Sequence, residues 1–89
     1  MTKRGRLEII KDILQIIQNN RGEINITPLL RKTNLSSKQF YKYLEERKNK
    51  NFITEKTLLQ NKKILLTIRG NKFLEKYKTI INFIQEFEL

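Results

Sequence analysis

The chain has 89 residues, 38% apolar and 31% charged, enough for one domain around one small core and too apolar for a disordered chain. Nineteen Lys and Arg against nine Asp and Glu give a formal charge of +10, a surplus that points to a polyanionic partner or to a basic surface kept for solubility. Cysteine and histidine are absent and Asp12 is the only aspartate, which removes disulfides, the usual zinc sites, thiol nucleophiles and the commonest general base. No pair of Glu, Lys or Tyr residues sits at a catalytic spacing, so neither an enzyme nor a cofactor is expected. No apolar run nears the ~20 residues that span a bilayer, and the start lacks a signal-peptide apolar region, so a cytoplasmic protein without a membrane partner is expected.

Residues 1–6 carry Lys3, Arg4 and Arg6 and read as a short basic arm. Over residues 7–18, Ile10, Ile13, Leu14 and Ile17 recur at i, i+3, i+4 and i+7, the stripe of an amphipathic helix. Ile9 and Ile16 widen that stripe, so this helix is expected to touch two surfaces. Asn19, Asn20, Arg21 and Gly22 stop it, Gly22 tolerating positive φ. Residues 23–26 alternate polar and apolar and suit a short strand at the edge of a small sheet. A brief helix follows, with Thr27 as N-cap, Pro28 at the first helical position, and Arg31 and Lys32 near its end.

Residues 33–35 form a polar turn, and Ser36 and Ser37, the only serines, offer oxygens to the first free N–H groups of another helix. Phe40, Leu44 and Arg47 share one face of that helix; Lys38, Tyr41, Lys42 and Glu45 share the other. One side anchors, and the other presents donors and a ring to a polyanion. Two helices joined by a tight turn, the second basic on its outer face, are the signature of a helix-turn-helix.

Residues 48–51 make a polar break. Residues 52–59 read as a strand, Gln60, Asn61, Lys62 and Lys63 as a turn with a basic tip, and residues 64–67 as the return strand. Such a hairpin after a recognition helix is a wing, whose tip meets the DNA backbone or minor groove. Thr67 suits the N-cap of a last helix running to about Phe87. Within it Phe73, Tyr77, Ile80, Ile84 and Phe87 are spaced four, three, four and three, with Leu74 and Ile81 alongside, the seam of a short coiled coil. A helix of roughly 30 Å carries more apolar surface than so small a core covers. A two-fold homodimer through these helices, completed by Ile9 and Ile16, is the economical expectation; a lid folded over its own domain is the other.

The fold class expected is mainly α with a small antiparallel β hairpin (α+β): a winged helix-turn-helix over residues 1–68 and a C-terminal coiled-coil dimerisation helix over residues 69–89. Leu7 to Leu14, Asn34-Leu35-Ser36, Tyr43-Leu44, Phe52-Ile53, and the junction Leu66-Thr67-Ile68-Arg69-Gly70-Asn71-Lys72-Phe73-Leu74 resemble the small archaeal winged-helix proteins. That group includes the dimeric 10a chromatin proteins and their relatives in archaeal viruses, and the pattern covers nearly the whole chain. The resemblance implies a DNA-binding homodimer with an antiparallel C-terminal coiled coil, acting as a nucleoid protein or local repressor. Two departures stand out: Asn51 replaces the glycine that often precedes the first wing strand, and the last helix is shorter than in the long-coil members.

In this reading Ser36 and Ser37 meet a phosphate, and Lys38, Tyr41 and Lys42 enter the major groove. Gln39 is the side chain suited to adenine; Arg31, Lys32, Asn61, Lys62 and Lys63 flank the site on the backbone. Two other readings remain from sequence: a protein-interaction adaptor built on the same scaffold, and an RNA-binding protein.

Overall fold

Every secondary-structure element contributes at least one of the buried apolar residues, and their convergence dictates the architecture. The computed structural model describes residues 5–89, so Lys3 and Arg4 of the expected arm lie outside the described residues. In chain order come α1 (Arg6–Asn19), β1 (Glu23–Asn25), α2 (Ile26–Thr33), α3 (Ser37–Asn49), β2 (Ile53–Leu58), β3 (Asn61–Leu66) and α4 (Ile68–Glu86). The strands form one antiparallel sheet in the order β1-β3-β2. This is the mainly helical α+β arrangement expected, with β1 added to one edge of the hairpin.

α1 buries the predicted stripe of Ile10, Ile13, Leu14 and Ile17. Ile9 and Ile16 are half-buried against the same core. The helix ends where the Gly22 N–H donates to the Ile17 carbonyl at 2.9 Å. Two consecutive left-handed residues make that closure, Arg21 at φ 65° and Gly22 at φ 84°.

β1 then runs directly into α2, so no residue is left between them to act as a separate cap. α2 therefore starts at Ile26, with Asn25 at the N-cap position and no side-chain cap bond. The expected N-cap, Thr27, is instead the second helical residue and Pro28 the third. Pro28 is still tolerated, because N–H groups of the first turn have no intrahelical acceptor.

The turn between α2 and α3 rests on two local devices. The buried Thr33 donates its hydroxyl to the Leu30 carbonyl at 2.8 Å, and Asn34 takes a left-handed φ of 59°. Ser36 then caps α3 by accepting from the Gln39 N–H at 3.2 Å. α3 buries Phe40, Leu44 and Arg47, the face anticipated from spacing. Just past its C-cap, Lys50, Asn51 has a φ of 64° and occupies the left-handed position that glycine often fills.

The wing differs from its expected form. Ile53 pairs with Leu66 and Leu58 with Asn61, leaving Leu59 and Gln60 as a two-residue loop. Asn61, Lys62 and Lys63 lie within β3, and the tip is uncharged. Register explains the shift: cross-strand partners share a face, so setting Ile53 beside Leu66 and Ile64 toward the core fixes the loop at residues 59–60. Primed hairpin turns need positive φ, and Leu59 supplies it at 58°, a cost of about 1 kcal/mol for a residue with a branched side chain.

α4 is rooted in the core by its first two turns. Thr67 caps it, accepting from the Gly70 N–H at 3.0 Å while donating to the Asn51 carbonyl at 2.6 Å. Gly70 is buried, and a Cβ there would lie 2.3 Å from the Phe52 carbonyl oxygen and 2.6 Å from Leu66. The glycine of the junction motif is therefore required by close approach of helix to strand. Leu74, expected at a dimer seam, is 6% exposed and belongs to the chain's own core. Beyond it α4 buries no further residue and extends the molecule to 49 Å along its longest axis.

Candidate nucleic-acid interface

The side chains singled out on the helix-turn-helix reach solvent together. Arg31, Lys32, Ser36, Ser37, Lys38, Gln39, Tyr41 and Lys42 are all exposed. Among the described residues, Arg31, Lys32, Lys38 and Lys42 make no ion pair. Their charges are thus free to meet another anion. Tyr41 is held edge-on against Phe40, centroids 5.2 Å apart, so its ring is backed by the core while its outer side stays in water. Gln39 stands on the flank, its Oε1 accepting from the Ser36 hydroxyl at 3.4 Å.

α3 is fixed from behind by pairs that spacing alone does not reveal. Arg6 of α1 donates to Glu46 at 2.7 Å and stacks over Tyr43 at 5.6 Å. The bond from Arg6 holds the Glu46 carboxyl below its ordinary value. Arg47 lies 5.6 Å from the centroid of Phe52, and Arg69 lies 5.3 Å from it. Burial pulls the Arg47 guanidinium below its ordinary value, and its Nε has no partner among the described residues. Arg47 therefore acts as a packed side chain rather than as a phosphate contact.

The wing cations are in a different electrical state. Glu55 on β2 accepts from Lys48 of α3 at 3.3 Å and pairs with Lys62 at 3.4 Å. Partial burial pushes its carboxyl up, but hydrogen bonds and charge from Lys48 and Lys62 outweigh that and hold it low. Lys63 pairs with Glu23 at 3.5 Å. Both predicted wing lysines are thus partly neutralised within the chain, although Asn61 is exposed as expected. Lys56 is an exposed cation that the sequence reading passed over; its position opposite Lys63 in the ladder is the signal that would have found it.

The outer face of α4 is apolar. Ile80, Phe83 and Phe87 are more than half exposed, and Tyr77, Ile81 and Ile84 are half-buried. Phe83, absent from the expected seam, lies 4.8 Å from Phe87 and broadens the stripe. Phe73 instead packs against Phe52 at 5.3 Å, on the margin of the core. A groove of about 610 Å³ between α1 and α4 is lined by Lys11, Gln15, Tyr77, Lys78 and Ile81 among others. No helix among the described residues is long and apolar enough to cross a membrane.

Solved structures share this arrangement at low sequence identity. Sso10a-2, a DNA-binding protein from Sulfolobus solfataricus, superposes with a TM-score of 0.78 at 22% identity, over 96% of this chain and 86% of that one. F-93 of SSV1 gives a TM-score of 0.67 at 21% identity, over 96% and 99% of the two chains. AF1382 from Archaeoglobus fulgidus gives 0.72 at 15% identity, over 90% of each. Comparison with curated proteins returned no match. A family model described as winged helix-turn-helix matches residues 3–85. With its Ser36-capped α3, three-stranded sheet and hairpin wing, the chain belongs to the winged helix-turn-helix family.

Proposed function

We propose that this chain binds double-stranded DNA as a homodimer and works as a transcriptional regulator or nucleoid-associated protein. The observation that carries the reading is the set of four exposed cations, Arg31, Lys32, Lys38 and Lys42, which make no ion pair among the described residues, on the solvated side of a helix-turn-helix in a chain of charge +10. α3 enters the major groove, with Lys38, Tyr41 and Lys42 facing the bases and phosphates. Ser36 and Ser37 meet a phosphate at the helix start, and Arg31 and Lys32 neutralise the backbone beside it. Gln39 reads adenine once its weak bond to Ser36 is given up.

The described likeness to a DNA-binding protein supports this reading, as does a superposition on an ArsR family transcriptional regulator at a TM-score of 0.59 and 11% identity. Dimerisation is inferred from the outer face of α4. Ile80, Phe83 and Phe87 stand more than half exposed beside the half-buried Tyr77, Ile81 and Ile84, and pairing with a second copy removes this stripe from water. Residues 1–68 are then the binding head and residues 69–89 the dimerisation helix, with Ile9 and Ile16 at the margin.

Titration of the protein onto labelled duplex at two salt concentrations tests the reading. With ~6–10 phosphates neutralised across two heads, affinity falls at least about a thousandfold between roughly 50 and 200 mM salt. A nearly flat response would overturn the phosphate-dominated mode. Single-stranded RNA of the same length, run as competitor, separates the RNA reading: equal competition favours RNA, weak competition favours duplex.

A further inference from the structure

The wing ends in leucine rather than lysine. Leu59 is 93% exposed and Leu58 51%, with Gln60 and Asn61 exposed beside them. Leu59 belongs neither to the core nor to the residues packed on it. It also holds a left-handed backbone that Gly, Asn or Asp adopt at lower cost in a two-residue loop. Folding gains nothing from this residue at this position.

Its surroundings suggest what does. Residues 56–63 contain Lys56, Lys62 and Lys63; Glu55 and Glu23 partly neutralise Lys62 and Lys63, whereas Lys56 makes no ion pair among the described residues, so the tip is an apolar point above a collar whose free cation is Lys56. Nucleic acid fits both parts: phosphates suit the collar, and the space between stacked base pairs suits the leucine. The B-DNA minor groove, about 6 Å wide and 7.5 Å deep, excludes a helix yet admits a two-residue loop. The amides of Gln60 and Asn61 match the acceptors on its floor.

We propose that Leu59 is a wedge that enters the minor groove beside the site held by α3, opens one base step and bends the duplex. This rests on the duplex-binding reading above and adds to it an active deformation of the DNA. Preference for flexible pyrimidine–purine steps at the wing position follows, since these steps open at the least cost. An anionic lipid surface also attracts leucines among lysines, but membrane binding draws on a broad apolar face, and the wing offers only two side chains at its end.

The experiment uses the full chain and a short duplex labelled at both ends. Anisotropy measures binding first, at low salt; energy transfer between the ends then measures bending at saturation. Leu59→Gly and Leu59→Asn both suit the left-handed turn, and thermal melting checks that each folds as the parent does. The parent is expected to bend the duplex by about 20–90° and to brighten a 2-aminopurine placed at the opened step. Both variants are expected to bind about three- to tenfold more weakly and to leave the duplex straight and the probe dark. Equal bending by the variants, or binding by the parent without bending, overturns the wedge and leaves the duplex-binding reading intact. No binding by the parent at low salt overturns that reading itself. Loss of sedimentation with phosphatidylserine vesicles in the variants, alongside unchanged DNA bending, assigns the tip to lipid and rejects the wedge.

Discussion

α3 and α4 obey the same rule on their inner sides and opposite rules on their outer ones. Each anchors through a few residues, Phe40, Leu44 and Arg47 in α3 and Gly70 and Leu74 in α4. The outer side of α3 is cationic and exposed; that of α4 is apolar and largely exposed over its last turns. Exposed charge costs little in water, whereas a contiguous apolar stripe costs free energy until it is covered. In the proposed reading the contrast separates a surface for reversible encounter with DNA from one for lasting association with a second copy.

The largest effect expected comes from breaking the first surface. Lys38→Ala with Lys42→Ala removes two unpaired cations per head and is expected to weaken duplex binding by about a thousandfold at low salt while the melting temperature stays near that of the parent. Retained affinity in a titration would move the site off α3. Next in size is a change to the anchor of α4. Gly70→Ala forces a methyl group against the Phe52 carbonyl and should destabilise folding by about 3 kcal/mol in a denaturant titration. An unchanged midpoint would mean that helix and strand can part without cost.

Ile80→Glu with Ile84→Glu tests the outer side of α4. Sedimentation mass is expected to halve, with folding intact and affinity for DNA down about a hundredfold through lost bivalency. A mass equal to that of the parent excludes the stripe as an interface. The smallest effect concerns the pairs that hold α3 from behind and link it to the wing. Glu46 and Glu55 have lowered values in the folded chain, so their contribution is present above the ordinary carboxylate range near ~4.3 and is lost as pH falls through the folded values. Melting temperature is therefore expected to hold steady from about pH 8 to 5 and to decline below about pH 4, with Glu55→Gln flattening part of the decline. A decline of equal depth in that variant would assign the acid sensitivity elsewhere.

Much of this was legible in the chain itself. Helical spacing marked the buried residues of α1 and α3, Ser36 and Thr67 marked two helix starts, and Gly22 and Asn51 marked left-handed closures, because each signal depends on neighbours within a turn or two. The same local logic fails at the wing loop. Lys62 and Lys63 look like turn residues, but the turn was set by register, with Ile53 drawn beside Leu66 across the ladder. Thr27 lost its capping role because β1 abuts α2 without a gap.

Sequence by itself determined the order of the elements, the inner faces of the helices and the cationic character of α3, since these follow from residue type and short-range period. Only the tertiary structure decided which cations stay free. Lys62, Lys63 and Lys48 are met by Glu55 and Glu23 on other elements, Leu74 is taken into the core, and Leu59 is left at the tip. Charge pairing and burial are set by separations of a few ångströms between residues far apart in the chain, and no local pattern encodes them.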